Sequence, residues 1–129
     1  MKKREAKYQV IFTQYLRKLQ EKGEGYGYYE LKQTTTDKFY FSKLEGHQEQ
    51  GLIAAASSGF IWKLSDEDQR RKPFDCFSSP PLPSFVVIKF PDGFYVIKVG
   101  VLHHEYATCG KAFLNSYTAK KIAFKVIHI

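Results

Sequence analysis

The sequence predicts an α+β domain built on a mixed β-sheet, and three observations carry that reading. Residues 4–22 place Tyr8, Ile11, Phe12, Tyr15, Leu16 and Leu19 at three- and four-residue spacing, which makes one apolar helix face, with Lys and Arg on the other side. Residues 85–90 and 94–99 are two apolar β-type runs joined by Pro91-Asp92-Gly93, a hairpin pattern. A second helical pattern, over residues 43–56, lies between strand-like runs, so helices and strands are interspersed along the chain.

The elements follow in order. The first helix stops at Gly23-Glu24-Gly25. Residues 26–33 read as a strand, 34–38 as a polar turn and 39–41 as a short second strand. Ser42 with Glu45 three residues later has the capping-box spacing and predicts a helix over 43–56, ended by Ser57-Ser58-Gly59. Leu44, Gln48, Leu52 and Ala55 share one face of that helix. Residues 60–64 form a strand, 65–72 a charged loop with the basic run Gln69-Arg70-Arg71-Lys72, and 74–77 a short β-like piece. Residues 78–83 form a connector, because the prolines in it lack the ladder donor. Beyond Gly100 the pattern weakens, with a short helical turn expected over 118–122 and a terminal strand over 124–129. No repeat, low-complexity tract or linker divides the chain, so residues 1–129 are expected to form a single domain.

Composition narrows the classes. A chain of 129 residues buries about two thirds of its unfolded surface and needs no disulfide staples. Hydrophobic content of 43% and aromatic content of 16% argue against disorder. Lys and Arg number 20 against 13 Asp and Glu, a net +7 that favours a polyanionic partner. Cys76 and Cys109 form no C-x-x-C pair, which argues against structural zinc. No apolar signal core follows the basic N-terminus and no stretch approaches a membrane span, so a reducing cytoplasm and no membrane partner are expected. There is no Ser-His-Asp order or phosphate-binding glycine loop, and His103-His104-Glu105 lacks the His-x-x-x-His spacing of zinc hydrolases.

The chemistry concentrates early in the chain. Glu30 and Lys32 stand two residues apart in a strand, so they point the same way and can act on one object. A hydrated Mg2+ and a scissile phosphate suit the pair, with the acid holding the ion and the lysine positioning water or neutralising phosphate. A cross-strand ion pair on the surface is the alternative. Gln48 takes an apolar position between Leu44 and Leu52. A buried amide must find hydrogen bonds, supplied either by an active site beneath the helix or by a neighbouring backbone carbonyl. His47, one residue earlier, points about a quarter-turn away. Asp75, flanked by Phe74, Cys76 and Phe77, is an acid in a strongly apolar segment, and a buried carboxylate requires a partner, a metal or a proton. It is expected either to supply a second metal carboxylate or to bond a loop backbone. A rival pairing of Asp75 with Lys89 has Val87 where the acid should stand. Arg4, Arg17, Arg70, Arg71, Lys72, Lys120 and Lys121 are candidates for phosphate contact. If they converge, binding falls steeply with salt; if they scatter, they are solubility charges.

Tyr28-Tyr29-Glu30-Leu31-Lys32 followed by Ser42-Lys43-Leu44-Glu45-Gly46-His47-Gln48 resembles the PD-(D/E)xK nuclease superfamily, and within it the Holliday-junction resolvases of the RecU type and phage-encoded proteins of that sort. Glu5-Ala6, Lys63-Leu64-Ser65-Asp66, Lys72-Pro73-Phe74-Asp75-Cys76-Phe77 and Phe85-Val86-Val87-Ile88 extend the likeness over roughly residues 4–99. The resemblance implies a restriction-endonuclease-like core, a mixed sheet flanked by helices. It implies a Mg2+-dependent endodeoxyribonuclease, with Mn2+ able to substitute, that resolves Holliday junctions or other branched DNA in recombination. Such an enzyme is expected as a homodimer in the cytoplasm of a bacterium or a phage-infected host. On this reading Glu30 is a metal ligand, Lys32 the catalytic lysine and Gln48 its neighbour. Asp75 supplies a second carboxylate, Glu5 is the N-terminal helix acid near the metal, and Arg70, Arg71 and Lys72 contact DNA. Glu5 is otherwise an ordinary first-turn acid favoured by the helix dipole. The chain departs from the family in two places. The segment before the Glu-x-Lys strand, Gly23-Glu24-Gly25-Tyr26-Gly27, holds no Asp. The stalk insertion of RecU-type proteins has no counterpart. The alternative is therefore a nucleic-acid-binding module that keeps the nuclease fold without catalysis.

Overall fold

A computed structural model describes residues 2–44, 46–63 and 76–128, with the backbone alone described at 2–6, 47, 60–63 and 76–79. The elements in order are α1 (Lys2–Glu21), β1 (Tyr28–Gln33), β2 (Lys38–Tyr40), a 3-10 turn (Phe41–Lys43), α2 (Gly46–Ser58), β3 (Phe60–Lys63), β4 (Cys76–Ser79), β5 (Ser84–Phe90), β6 (Gly93–Lys98), α3 (Val99–Thr108), β7 (Phe113–Asn115), α4 (Ser116–Ile122) and β8 (Lys125–His128).

The predicted hairpin is the centre of the molecule. The main sheet runs β1-β5-β6-β8, with β1 parallel to β5 and the other neighbours antiparallel. A strand covered on both faces reads as a continuous apolar run, and every residue of β5 is buried. Alternation sorts its side chains between two cores. Phe85 and Val87, with Phe94 and Val96 of β6, pack under Tyr8, Phe12 and Leu16 of α1. Val86, Ile88 and Phe90, with Tyr95 and Ile97, pack against Phe39, Leu52, Leu102, Leu114 and Ala119. The result is three layers: α1 on one side, the sheet, and α2, α3, α4 and the β2–β7 ribbon on the other. The fold is α+β with a mixed four-stranded sheet flanked by helices.

Several local expectations shift. Phe41 leaves the second strand for the 3-10 turn, and Ser42 sits inside that turn rather than capping α2, which begins at Gly46. Ser78 and Ser79 belong to β4, antiparallel to β3, so the connector shortens to the proline segment. Helix α3 and strand β7 were not expected. Val99-Gly100-Val101 opens α3 with poor helix formers and no side-chain cap; burial of Val99 and Leu102 in the core holds it instead. β7 exists because Leu114 buries opposite Phe39 of β2. At α4 the local signal is present, with the Asn115 side chain accepting from the Thr118 N–H at 2.8 Å. Cys109 is a free thiol. Among the described residues no helix is long and apolar enough to cross a membrane.

Candidate functional site

The register of β1 fixes where Glu30 and Lys32 point. Glu30 pairs with Val86 and Lys32 with Ile88. Paired residues in adjacent strands share a face, and Val86 and Ile88 belong to the core under α2. The intervening Tyr29 and Leu31 pack on the α1 side. Glu30 and Lys32 therefore point together into the α2 layer, both half-buried. Among the described residues neither forms an ion pair.

Helix α2 lies over the same side. Leu44 and Leu52 pack on the core there, and the Ser84 hydroxyl donates to the Leu52 carbonyl at 2.6 Å, which fastens the middle of the helix to the start of β5. Gln48 lies one turn before Leu52, half-buried. The structure thus puts Glu30, Lys32 and Gln48 on one side of the sheet, contributed by β1 and α2. Their chemistry differs usefully: a carboxylate accepts or ligates, an ammonium donates and carries charge, and an amide does both.

The other candidates are placed differently. Glu5 lies near the start of α1, the helix that covers the opposite face of the sheet, and its side chain is outside the description. Asp75, Arg70, Arg71 and Lys72 lie outside the described residues. Lys89 shares the face of Val87 and points toward α1, so the sheet stands between it and Glu30. It is only 4% exposed. Its ammonium donates to the Phe90 carbonyl and sits 4.7 Å from the centre of the Tyr8 ring. Arg17 is exposed on α1, whereas Lys120 and Lys121 are exposed on α4 in the opposite layer. The described basic candidates thus do not share a face.

A carboxylate is the right kind of donor for a hydrated Mg2+, which takes one or two carboxylates along with phosphate and water oxygens. Glu30 supplies one on the α2 side. Among the described residues no group of three His, Cys, Asp or Glu side chains is placed to hold a metal ion.

Two features escaped the sequence. His103 Nδ1 of α3 bonds Glu49 Oε1 of α2 and ties the two helices together. With Tyr40, Phe41, Ser42 and Tyr106 they line a cavity of about 370 Å3. A second, apolar groove of about 430 Å3 runs between α1 and the β6–β8 edge, lined by Phe12, Tyr15, Tyr29, Phe85 and Phe124. Neither recess is lined by Glu30, Lys32 or Gln48. The pair was hidden because α3 carries no helix signal of its own, so nothing placed His103 opposite Glu49. Two tyrosines are shifted. Burial, then the nearby Tyr15, pushes the Tyr29 hydroxyl up. Burial first, then the hydrogen bond to Asp92 and its charge, pushes Tyr95 up. Comparison of the chain with protein-family models, with curated proteins and with solved structures gave no match.

Proposed function

We propose that this chain is a metal-dependent DNA endonuclease that hydrolyses phosphodiester bonds, with branched DNA such as a four-way junction as its substrate. The observation that carries the proposal is the shared orientation of Glu30 and Lys32 on β1 into the layer where α2 holds Gln48. A bound Mg2+ would supply Lewis-acid polarisation of the phosphate and activation of water. Glu30 is the residue to hold it, with Asp75 completing the carboxylate set, since Glu5 stands at the start of the helix that covers the opposite face of the sheet. Lys32, two residues along the same face of β1, orients the attacking water and offsets negative charge developing on phosphate oxygens. Gln48 both donates and accepts, which suits it to hold the water or the lysine in place. The net charge of +7 supports a polyanionic ligand.

A second reading, a DNA-binding module without catalysis, is favoured by the absence of any Asp in the Gly23-Glu24-Gly25-Tyr26-Gly27 segment ahead of β1. One experiment separates the two. Labelled four-way junctions and linear duplex are incubated with Mg2+, Mn2+ or EDTA, using wild type and Glu30→Ala. Paired symmetric cuts that need both the cation and Glu30 support the resolvase. Cuts in every substrate support a general nuclease. Salt-sensitive binding without cleavage in either metal overturns the enzyme and supports the binding module.

A further inference from the structure

The outer edge of β1 is complementary to itself, and we propose that a second copy of this chain pairs with it, antiparallel, about a two-fold axis at Leu31. Backbone direction prepares the edge. The Tyr28 N–H donates to the Pro83 carbonyl at 2.9 Å and the Thr34 N–H to the Lys89 carbonyl at 3.0 Å, so the even-numbered residues of this segment turn their backbone groups toward β5. Successive residues of a strand turn theirs in opposite directions. The N–H and C=O groups of Tyr29, Leu31 and Gln33 therefore face away from the sheet. Among the described residues no strand pairs with that edge, and those groups make no backbone hydrogen bond. A bare strand edge is a template for another chain.

Charge selects the partner and the register. For the sheet and its helical layers to continue across the joint, even residues must stand opposite even residues. An axis at Glu30 or at Lys32 sets like charges face to face. An axis at Leu31 sets Glu30 opposite Lys32 of the second copy, and Lys32 opposite its Glu30. Tyr29 then faces Gln33, and Leu31 faces itself. The outward-facing residues make the hydrogen-bonded pairs, about six backbone bonds in all. The two Glu–Lys pairs fall at the closer, non-hydrogen-bonded positions, about 4.5 Å between Cα atoms, where cross-strand charges couple best. Neither charge is satisfied by an ion pair among the described residues of its own chain. The opposite edge, β8, is shorter and carries only Lys125, Val126, Ile127 and His128, so no register there pairs opposite charges.

The joint stands independently of the nuclease reading and has a consequence for it. A carboxylate offers about four acceptor positions, so Glu30 can take Lys32 of the second copy and still bind a cation. Each site would then contain a residue from each copy.

The test is sedimentation velocity of the full chain over a concentration series, without DNA, for wild type, Glu30→Lys, Lys32→Glu and the double exchange. Wild type is expected to dimerise. Each single exchange puts like charges opposite one another at both pairs and should weaken the dimer about ten-fold. The double exchange restores opposite charges and should recover most of that loss. As a second readout, Leu31→Cys in a background with Cys76 and Cys109 replaced by serine should oxidise to a covalent dimer, because a hydrogen-bonded pair stands about 5.5 Å apart at Cα, within disulfide range. Gln33→Cys in the same background should not. A wild type that stays monomeric at about 100 μM overturns the proposal, as do single and double exchanges that weaken association equally. Failure of Leu31→Cys to cross-link also overturns it, and that result decides the matter if a charge variant fails to fold. Cleavage is not read in any arm, so loss of the nuclease reading leaves this result standing.

Discussion

Replacing Phe12 with alanine tests whether α1 is docked as the two-core architecture requires. Phe12 is 4% exposed at the centre of the α1–sheet contact. Its ring centre lies 5.4 Å from Phe94, 5.5 Å from Tyr29 and 6.0 Å from Tyr15. Burying a phenylalanine side chain contributes about 1.5–3 kcal/mol. Each well-placed aromatic pair adds roughly 0.5–1.5 kcal/mol beyond area. The cavity left behind adds its own penalty, so Phe12→Ala should cost about 4 kcal/mol, in the usual range for such truncations. Unfolding entropy near about 2.1 cal/mol/K per residue converts that into a fall in Tm of about 15 °C for a chain of 129 residues. The assay is scanning calorimetry beside Val10→Ala, a change on the same helix at a position 56% exposed. Val10→Ala should stay within about 0.5 kcal/mol of wild type. A Phe12→Ala shift no larger than that of Val10→Ala would refute the docking of α1 through this ring, and with it the assignment of the odd-numbered face of β5 to an α1 core.

Three further outcomes follow from the same geometry. Lys89→Met should leave stability unchanged or raise it, since it removes a buried ammonium held by one carbonyl and one ring, and it should keep any Mg2+-dependent cleavage that Lys32→Met abolishes; chemical denaturation and the junction assay check the two halves. Gly93→Ala should destabilise the chain by about 1–3 kcal/mol, because a Cβ at that position would be driven into the Ile127 carbonyl of β8; urea unfolding of the variant reads it. Because the Tyr29 and Tyr95 hydroxyls are raised in the folded state, their contribution is fully present below the ordinary tyrosine range and is lost as pH climbs through their raised values. Urea midpoints should therefore fall with rising pH above about pH 10, and less steeply in Tyr29→Phe/Tyr95→Phe.

Much of the fold was legible because it rests on local periodicity. The apolar stripe of α1, the hairpin of β5 and β6 and the helical turn expected over 118–122, which falls within α4, all act within a few residues of sequence. Where local preference and tertiary burial disagree, burial decides. Ser42 and Glu45 have capping-box spacing, yet burial of Phe41 holds Phe41–Lys43 in a 3-10 turn and α2 starts later, at Gly46. Val99 and Leu102 make a helix of a segment with weak propensity.

The candidate site divides the same way. Strand alternation in the sequence alone put Glu30 and Lys32 on one side of a strand, and the helical period put Gln48 in line with Leu44 and Leu52. Only the sheet register could say that both sets enter the same layer, because a shift by one residue would send Glu30 and Lys32 toward α1 instead. The fold also put Lys89 on the far side of the sheet and left the outer edge of β1 without a partner strand among the described residues, neither of which has a local signature. The sequence determined which side chains travel together within an element. Tertiary structure decided which elements meet, since that depends on contacts between residues far apart in the chain.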